Sequence, residues 1–296
     1  MYSKETIFHL PGIFSYAGIY QVICREYTEN PHKFKDNVKI GSIYGCPGGI
    51  WNGGRILHNK EKCKEELEDI RDLFANFGVP IRFTFTNCLI DETLAQDAYC
   101  NMLLEIFNNG HNEIICNTPA LENHIRSKYG DRYKYISSTT KRLDNQEDQL
   151  TELDKDYYLV VLDYDHNKDY EFMESIENKD KCEILCNPVC VAKCPNRKKH
   201  YENISYCQIY HSIDMMECPE MDKRYYQVKR LPNYISPQDI NDIYLPMGFS
   251  NFKLEGRTHD PFDLTEILLD YLVKEEYQLE MRGILHKLII SNLNIM

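Results

Sequence analysis

Cys186, Cys190, Cys194 and Cys207 follow the pattern C-x3-C-x3-C-x12-C. Four soft thiolates this close together in the chain are what zinc or an iron–sulfur cluster requires. Three-residue spacings set successive sulfurs about one helical turn or one tight loop apart, and Pro188 and Pro195 resist a regular helix, so a loop is expected to present them. Zinc ribbons and fingers favour C-x2-C pairs, so this spacing points to iron–sulfur ahead of zinc. Cys186 is the least secure of the four. It shares one face of an expected strand with Cys182 and Ile184, and burial alone would explain that face. Cys218, Cys46 or Cys88 could then supply the fourth ligand. Cys24, Cys63 and Cys100 fall in helical patterns and read as packing residues. The bland alternative is a set of unliganded thiols in a reduced protein.

The second constellation is Cys46-Pro-Gly-Gly-Ile-Trp-Asn-Gly-Gly-Arg55, which follows a strong strand pattern and holds the only tryptophan of the chain. Its glycines allow positive φ values and close backbone approach, as a loop around a ligand needs. Trp51 could stack on a planar substrate and Arg55 pair with a carboxylate or phosphate. The competing reading is a glycine-rich turn with its tryptophan packed in the rim. No G-x-S-x-G, H-E-x-x-H, P-loop or G-x-G-x-x-G motif is present, which leaves most familiar nucleophile and nucleotide chemistries without a carrier. His200 and His211 flank Cys207, a weak basis for a cysteine–histidine nucleophilic pair.

The elements that must hold these residues alternate. Apolar, β-branched runs at Val38–Tyr44, Pro80–Thr86, Glu113–Cys116, Tyr133–Ser137, Tyr158–Leu162, Glu183–Cys186 and Phe249–Leu254 predict strands. Helical patterns lie between them near 61–77, 92–109, 119–129, 146–154 and 168–176, with a last one near 261–275. Thr118-Pro119 and Asp260-Pro261 are expected helix starts, cap residue followed by proline. Such alternation predicts parallel strands with right-handed crossovers, and seven or eight of them favour a closed TIM-like (β/α) barrel over an open sheet. Met1–Asn37 reads as a strand-poor or helical entry and 208–245, rich in tyrosine and proline, as a lid or insertion. With no linker or repeat, one domain spanning 1–296 is expected, with a cysteine-rich metal-binding segment at 186–218. In a parallel barrel the site lies where strands end, which singles out Asn87, Asn117, Glu255 and Arg257, along with Cys46, Cys88, Ser138, Thr139, Thr140, Asp163 and Asn187; Asn52 of the glycine-rich loop joins them as a candidate substrate contact. The asparagines, serine and threonines at strand ends could equally cap the helices that follow them.

With 46 acidic against 34 basic residues, the net charge of −12 disfavours general nucleic-acid binding, though Arg197, Lys198 and Lys199 could meet a local anion. No apolar run is long enough to span a bilayer and no leader pattern opens the chain. The twelve cysteines are therefore expected in a reducing, cytoplasmic compartment.

Asn87, the turn Asn117-Thr-Pro-Ala-Leu-Glu122, the Cys190–Cys207 region and Lys253-Leu-Glu-Gly-Arg257 resemble the collagenase-like peptidase (U32) family, including its UbiU- and UbiV-like members, over roughly residues 38–257. The resemblance implies a TIM-like barrel carrying a 4Fe–4S cluster on four cysteines, and an oxygen-independent hydroxylation or other redox reaction on a small or planar substrate. By position, Cys194 and Cys207 match a C-x12-C element, with Cys190 as a third ligand. UbiU and UbiV act as a pair, which implies a heteromeric partner subunit. A zinc-stapled binding scaffold and a U32-type peptidase are the alternatives.

Overall fold

The computed structural model describes residues 5–55, 61–218 and 223–293. Eight parallel strands close into a barrel in chain order: β1 (Thr6–Pro11), β2 (Val38–Gly45), β3 (Ile81–Phe85), β4 (Glu113–Cys116), β5 (Lys134–Ser137), β6 (Leu159–Val161), β7 (Cys182–Leu185) and β8 (Asn251–Lys253). Closure is made by β1 against β8, with Ile7 opposite Asn251 and His9 opposite Lys253. The seven expected strands are all present. The eighth, β1, was not read from the sequence because Thr6–Pro11 is short and carries a histidine and a proline.

Helices fill the crossovers: α1 (Ala17–Glu29), α2 (Lys64–Asn76), α3 (Ala98–Ile106), α4 (Pro119–Tyr129), α5 (Gln146–Leu153), α6 (Tyr170–Ser175) and α7 (Arg197–Tyr210). The proline-marked starts form as expected. The Thr118 hydroxyl accepts from the Leu121 amide at 3.3 Å, and the Asp260 carboxylate accepts from the amides of Phe262 and Asp263 at 2.9 and 3.0 Å, satisfying donors that a helix start leaves free.

The β7–β8 connection is the longest. It continues from α7 through the short turns α8 (Tyr225–Val228), α9 (Pro237–Asp239) and α10 (Leu245–Met247). Residues 219–222 of the segment read as a lid or insertion lie outside the described residues. From Tyr225 onward the segment packs on the barrel: Tyr225, Val228, Tyr234, Ile235 and Tyr244 are buried. The Ile235 amide bonds the Cys186 carbonyl, and the Tyr271 hydroxyl bonds the Ile235 carbonyl at 2.6 Å. The chain then adds α11 (Pro261–Leu272) and α12 (Glu275–Leu293), and α12 lays Met281, Leu285 and Ile289 on the core, a one-face spacing. No helix among the described residues is long and apolar enough to cross a membrane.

Candidate functional site at the barrel mouth

Strand alternation turns one residue in two inward. In this barrel several inward positions are charged. From β3, Arg82 donates through Nε to Glu113 Oε2 of β4 at 2.6 Å and through Nη1 to Glu183 Oε2 of β7 at 2.5 Å, and its Nη2 lies 2.9 Å from His9 Nδ1 of β1. His9 Nδ1 also meets the Ser42 hydroxyl at 2.8 Å. Lys253 of β8 places Nζ 3.5 Å from Glu183 Oε1. Burial and the neighbouring Arg82 hold His9 down to about 4, so its imidazole is neutral at pH 7. Burial alone would raise Glu183, but Arg82, His9 and Lys253 hold its carboxyl at about 2. Two cations thus face two anions, the arrangement a buried charge needs.

Above this floor the strand ends open into a cavity of about 70 Å³. It shares Thr140 and Tyr201 with a wide outer groove of about 1490 Å³ that reaches Cys88, Asn117, Arg142 and Cys194. Arg55, from the glycine-rich loop, pairs with Glu255 beyond β8. The second Glu255 oxygen accepts from the Val189 amide at 2.9 Å. The strand ends thereby tie together the glycine loop, the Lys253–Arg257 element and the cysteine segment.

The sequence-derived residues separate into those that line this space and those that build its walls. Arg55, Glu255 and Arg257 border the inner cavity and Asn117 the outer groove. Asn117 donates to the Thr140 hydroxyl at 2.8 Å. Arg257 is buried and donates to Asn52 Oδ1 at 2.8 Å, to the Thr84 hydroxyl at 2.6 Å and to the Gly53 carbonyl. Asn52 is fully buried, so it positions Arg257 and does not meet a ligand itself. Asn87 is likewise buried, with its amide on the Ile50 and Ser205 carbonyls at 2.8 and 3.1 Å.

Trp51 corrects the stacking expectation. Its indole is wholly buried, edge-on to Phe85 and His124, and donates to the Leu94 carbonyl at 2.9 Å, so no face is free for a substrate. The close approach foreseen for the glycines is made to the protein itself. A Cβ at Gly53 would stand 2.3 Å from the Thr86 carbonyl carbon.

The four cysteines are not brought together. Alternation along β7 points Glu183 and Leu185 inward, leaving Cys182, Ile184 and Cys186 outward. Cys186 is buried beside Tyr234, Tyr244 and Tyr271. Cys190 instead borders a small chamber with Arg55, Tyr164, His200, Tyr201 and Cys218. Cys194 lines the outer groove. Cys207 is buried on α7, its thiol 3.6 Å from the Asp214 carbonyl. Among the described residues, no group of three or more His, Cys, Asp and Glu side chains is gathered as a metal ligand set. The thiols therefore suit a soft metal in donor type but not in arrangement. Of the suggested fourth ligands, Cys218 is the one beside Cys190. Cys46 is buried and pushed up to about 12 by that burial. Among the thiols read as packing, Cys24 and Cys100 are buried, while Cys63 is exposed at the start of α2.

A second ionic cluster, not anticipated from the sequence, ties the cysteine segment to the rim. Arg197 of α7 is buried against Asp163 Oδ1 at 3.2 Å, Asp165 Oδ1 at 2.8 Å and the Val191 carbonyl at 2.8 Å. Arg142 meets the same two aspartates at 2.9 and 3.2 Å. Burial raises Asp163 despite both cations, whereas Asp165 is lowered against its burial by its bond to Arg197.

Fold and site together define an α/β barrel with a polar, cation-lined mouth at the C-terminal strand ends. No family model matches the chain. An uncharacterized protease of Methanocaldococcus jannaschii is 25% identical over 132 residues, which are 40% of this chain and 37% of that protein. The match thus spans little more than a third of that relative's length. A solved U32 peptidase structure superposes on 86% of this chain and 94% of its own, with a TM-score of 0.53 and 14% identity, a likeness that shows the shared fold. The barrel fold implied by the resemblance to the collagenase-like peptidase (U32) family is thereby borne out.

Proposed function

We propose that this U32-related barrel is an enzyme acting at its mouth on a small or planar substrate, in an oxygen-independent hydroxylation or other redox reaction. The observation that carries the reading is the convergence of Arg55, Glu255, Arg257 and Lys253, from opposite ends of the chain, on one cavity at the C-terminal strand ends, where parallel barrels do their chemistry. An iron–sulfur cluster is the redox group proposed; the structure does not gather its ligands, and Cys190, Cys194 and Cys207, with Cys218 in place of Cys186, would have to draw together to hold it, after which it would supply electron transfer. The protein's own residues orient substrate: Arg55 meets an anionic group in exchange for Glu255, and Asn52 and Thr84 fix Arg257. A partner subunit covering the wide outer groove belongs to the same proposal.

The test is iron and acid-labile sulfide analysis with a visible spectrum on anaerobically purified protein, beside a Cys190→Ala/Cys194→Ala double variant. About four irons and four sulfides per chain, lost in the variant, support the reading. One bound zinc would instead favour a stapled binding scaffold, and absence of metal would remove the redox chemistry.

Peptidase activity is the second reading, favoured by the names of the two similar proteins. Burial raises the thiols of Cys88 and Cys190 and pushes Cys46 to about 12, which is unfavourable for a thiolate nucleophile. Cleavage of gelatin-like substrates, abolished by alkylating one cysteine in metal-free protein, would establish it nonetheless.

A further inference from the structure

Lys253 stands where the charged floor meets the open mouth. Its side chain is directed inward from β8 and lines the inner cavity with Arg55, Thr84, Ser138, Tyr164 and Arg257. The groups facing it come from each neighbouring element: Glu183 of β7 at 3.5 Å, the Tyr44 ring of β2 at 4.4 Å, Arg82 of β3, His9 of β1 and Arg257 beyond β8. The amine is thus taken out of water, set among cations and given one carboxylate. Burial is the main cause that lowers it, Glu183 opposes this, and Arg82 and Arg257 add to it, leaving the amine at about 8. A lysine so placed is neutral a few hundred times more often at pH 7 than one in water, the condition for amine nucleophiles.

We propose that Lys253 is a reactive amine which takes a small carbonyl compound bearing an anionic group into an imine at the barrel mouth. The amine lone pair adds to the carbonyl carbon as the C=O π bond breaks, and the oxygen takes one proton from the nitrogen and a second from solvent. The C–O bond then breaks, water leaves, and the nitrogen lone pair forms the C=N bond of a protonated imine, with no net oxidation. Glu183, ionised at its oxygen beside Nζ, is the counter-ion of that cation, and Arg55 and Arg257 border the space for the anionic group. The inference takes from the proposed function only that the mouth is the working site, and it needs no metal.

The full chain, with and without bound metal, is incubated at pH 7.5 with glyoxylate and cyanoborohydride, which reduces an imine to a stable amine. Intact mass and peptide mapping are expected to give one adduct per chain, on Lys253, at least tenfold faster than on any other lysine. Lys253→Arg and Lys253→Met, checked for folding by circular dichroism, should lose it. Competitive acetylation of the native protein gives a second readout independent of any variant. Reactivity of Lys253 rising with a midpoint near 8 supports the proposal, and a midpoint near 10, or adducts scattered over surface lysines, overturns it. Protein that carries iron and sulfide yet forms no adduct keeps the redox reading and loses this one. Protein that is trapped while free of metal does the reverse.

Discussion

The floor of the barrel and the cysteine segment at its rim treat polar groups in opposite ways. On the floor, His9, Arg82, Glu113, Glu183 and Lys253 come from five different strands and meet one another within hydrogen-bonding or ion-pairing reach. At the rim, Arg197 and Arg142 share two aspartates, but Arg197 Nε and His200 Nε2 are buried without a partner, the latter beside Cys190 and Cys218. Unpaired buried donors cost free energy and persist where a ligand completes them. Among the described residues the rim holds two such atoms and the floor one, Glu183 Oε1, which has Lys253 Nζ 3.5 Å away, so the floor pairs its charges more fully than the rim does.

The comparison breaks first at Arg82. Arg82→Ala leaves Glu113 buried without its cation and Glu183 with Lys253 alone, so the expected loss is about 3–5 kcal/mol of stability by urea denaturation. A loss below about 1 kcal/mol would mean that water enters the barrel and that the floor is not sealed. Arg197→Ala should cost less, about 1–3 kcal/mol, because Arg142 still meets both aspartates. Its signature is local: faster amide exchange in 189–195 with the barrel strands unchanged. Acid should act on the floor in two stages. His9 is held at about 4 against an ordinary 6.5, so the unfolded chain binds its proton first and stability falls as pH drops from 6.5 to about 4. Glu183, held at about 2 against 4.5, contributes stability that is lost as pH falls through that lower window. Thermal melts of His9→Gln should lose the first stage and keep the second.

The barrel was legible because its signals are local. Glu113–Cys116 and the two proline-marked helix starts can be read from a few neighbouring residues. β1 was not, since its partners β2 and β8 are remote in sequence and its own six residues include His9 and Pro11. α1 and α12, which pack on each other, declare themselves through that contact more than through their patterns. At the site, Arg55 could be found from the glycine-rich loop, and Glu255 and Arg257 from a strand end. Asn52, Asn87 and Trp51 share the same loops, but only tertiary contacts decide that they serve as walls. The floor carries a signal of its own: Arg82, Glu113, Glu183 and Lys253 each put a charge inside a strand whose residues are all buried. Charges in such places are tolerated only when they meet across the barrel.

The smallest expected effect bears on which thiols belong to the rim. Cys186 faces outward from β7 under the β7–β8 connection, while Cys190, Cys194 and Cys218 are each partly accessible. Iodoacetamide on native metal-free protein should therefore modify exposed Cys63 first, and these three and the equally accessible Cys88 next, leaving Cys186 unmodified until the barrel unfolds. Cys186→Ala should cost about 1 kcal/mol and leave any iron content within about twofold of the parent, whereas Cys190→Ala should lower iron content and hardly change stability. The reverse pattern, with iron dependent on Cys186, would require the end of β7 to turn its thiol from the outer layer to the mouth. That would break the Ile235–Cys186 backbone bond and join the two regions that the present arrangement keeps apart.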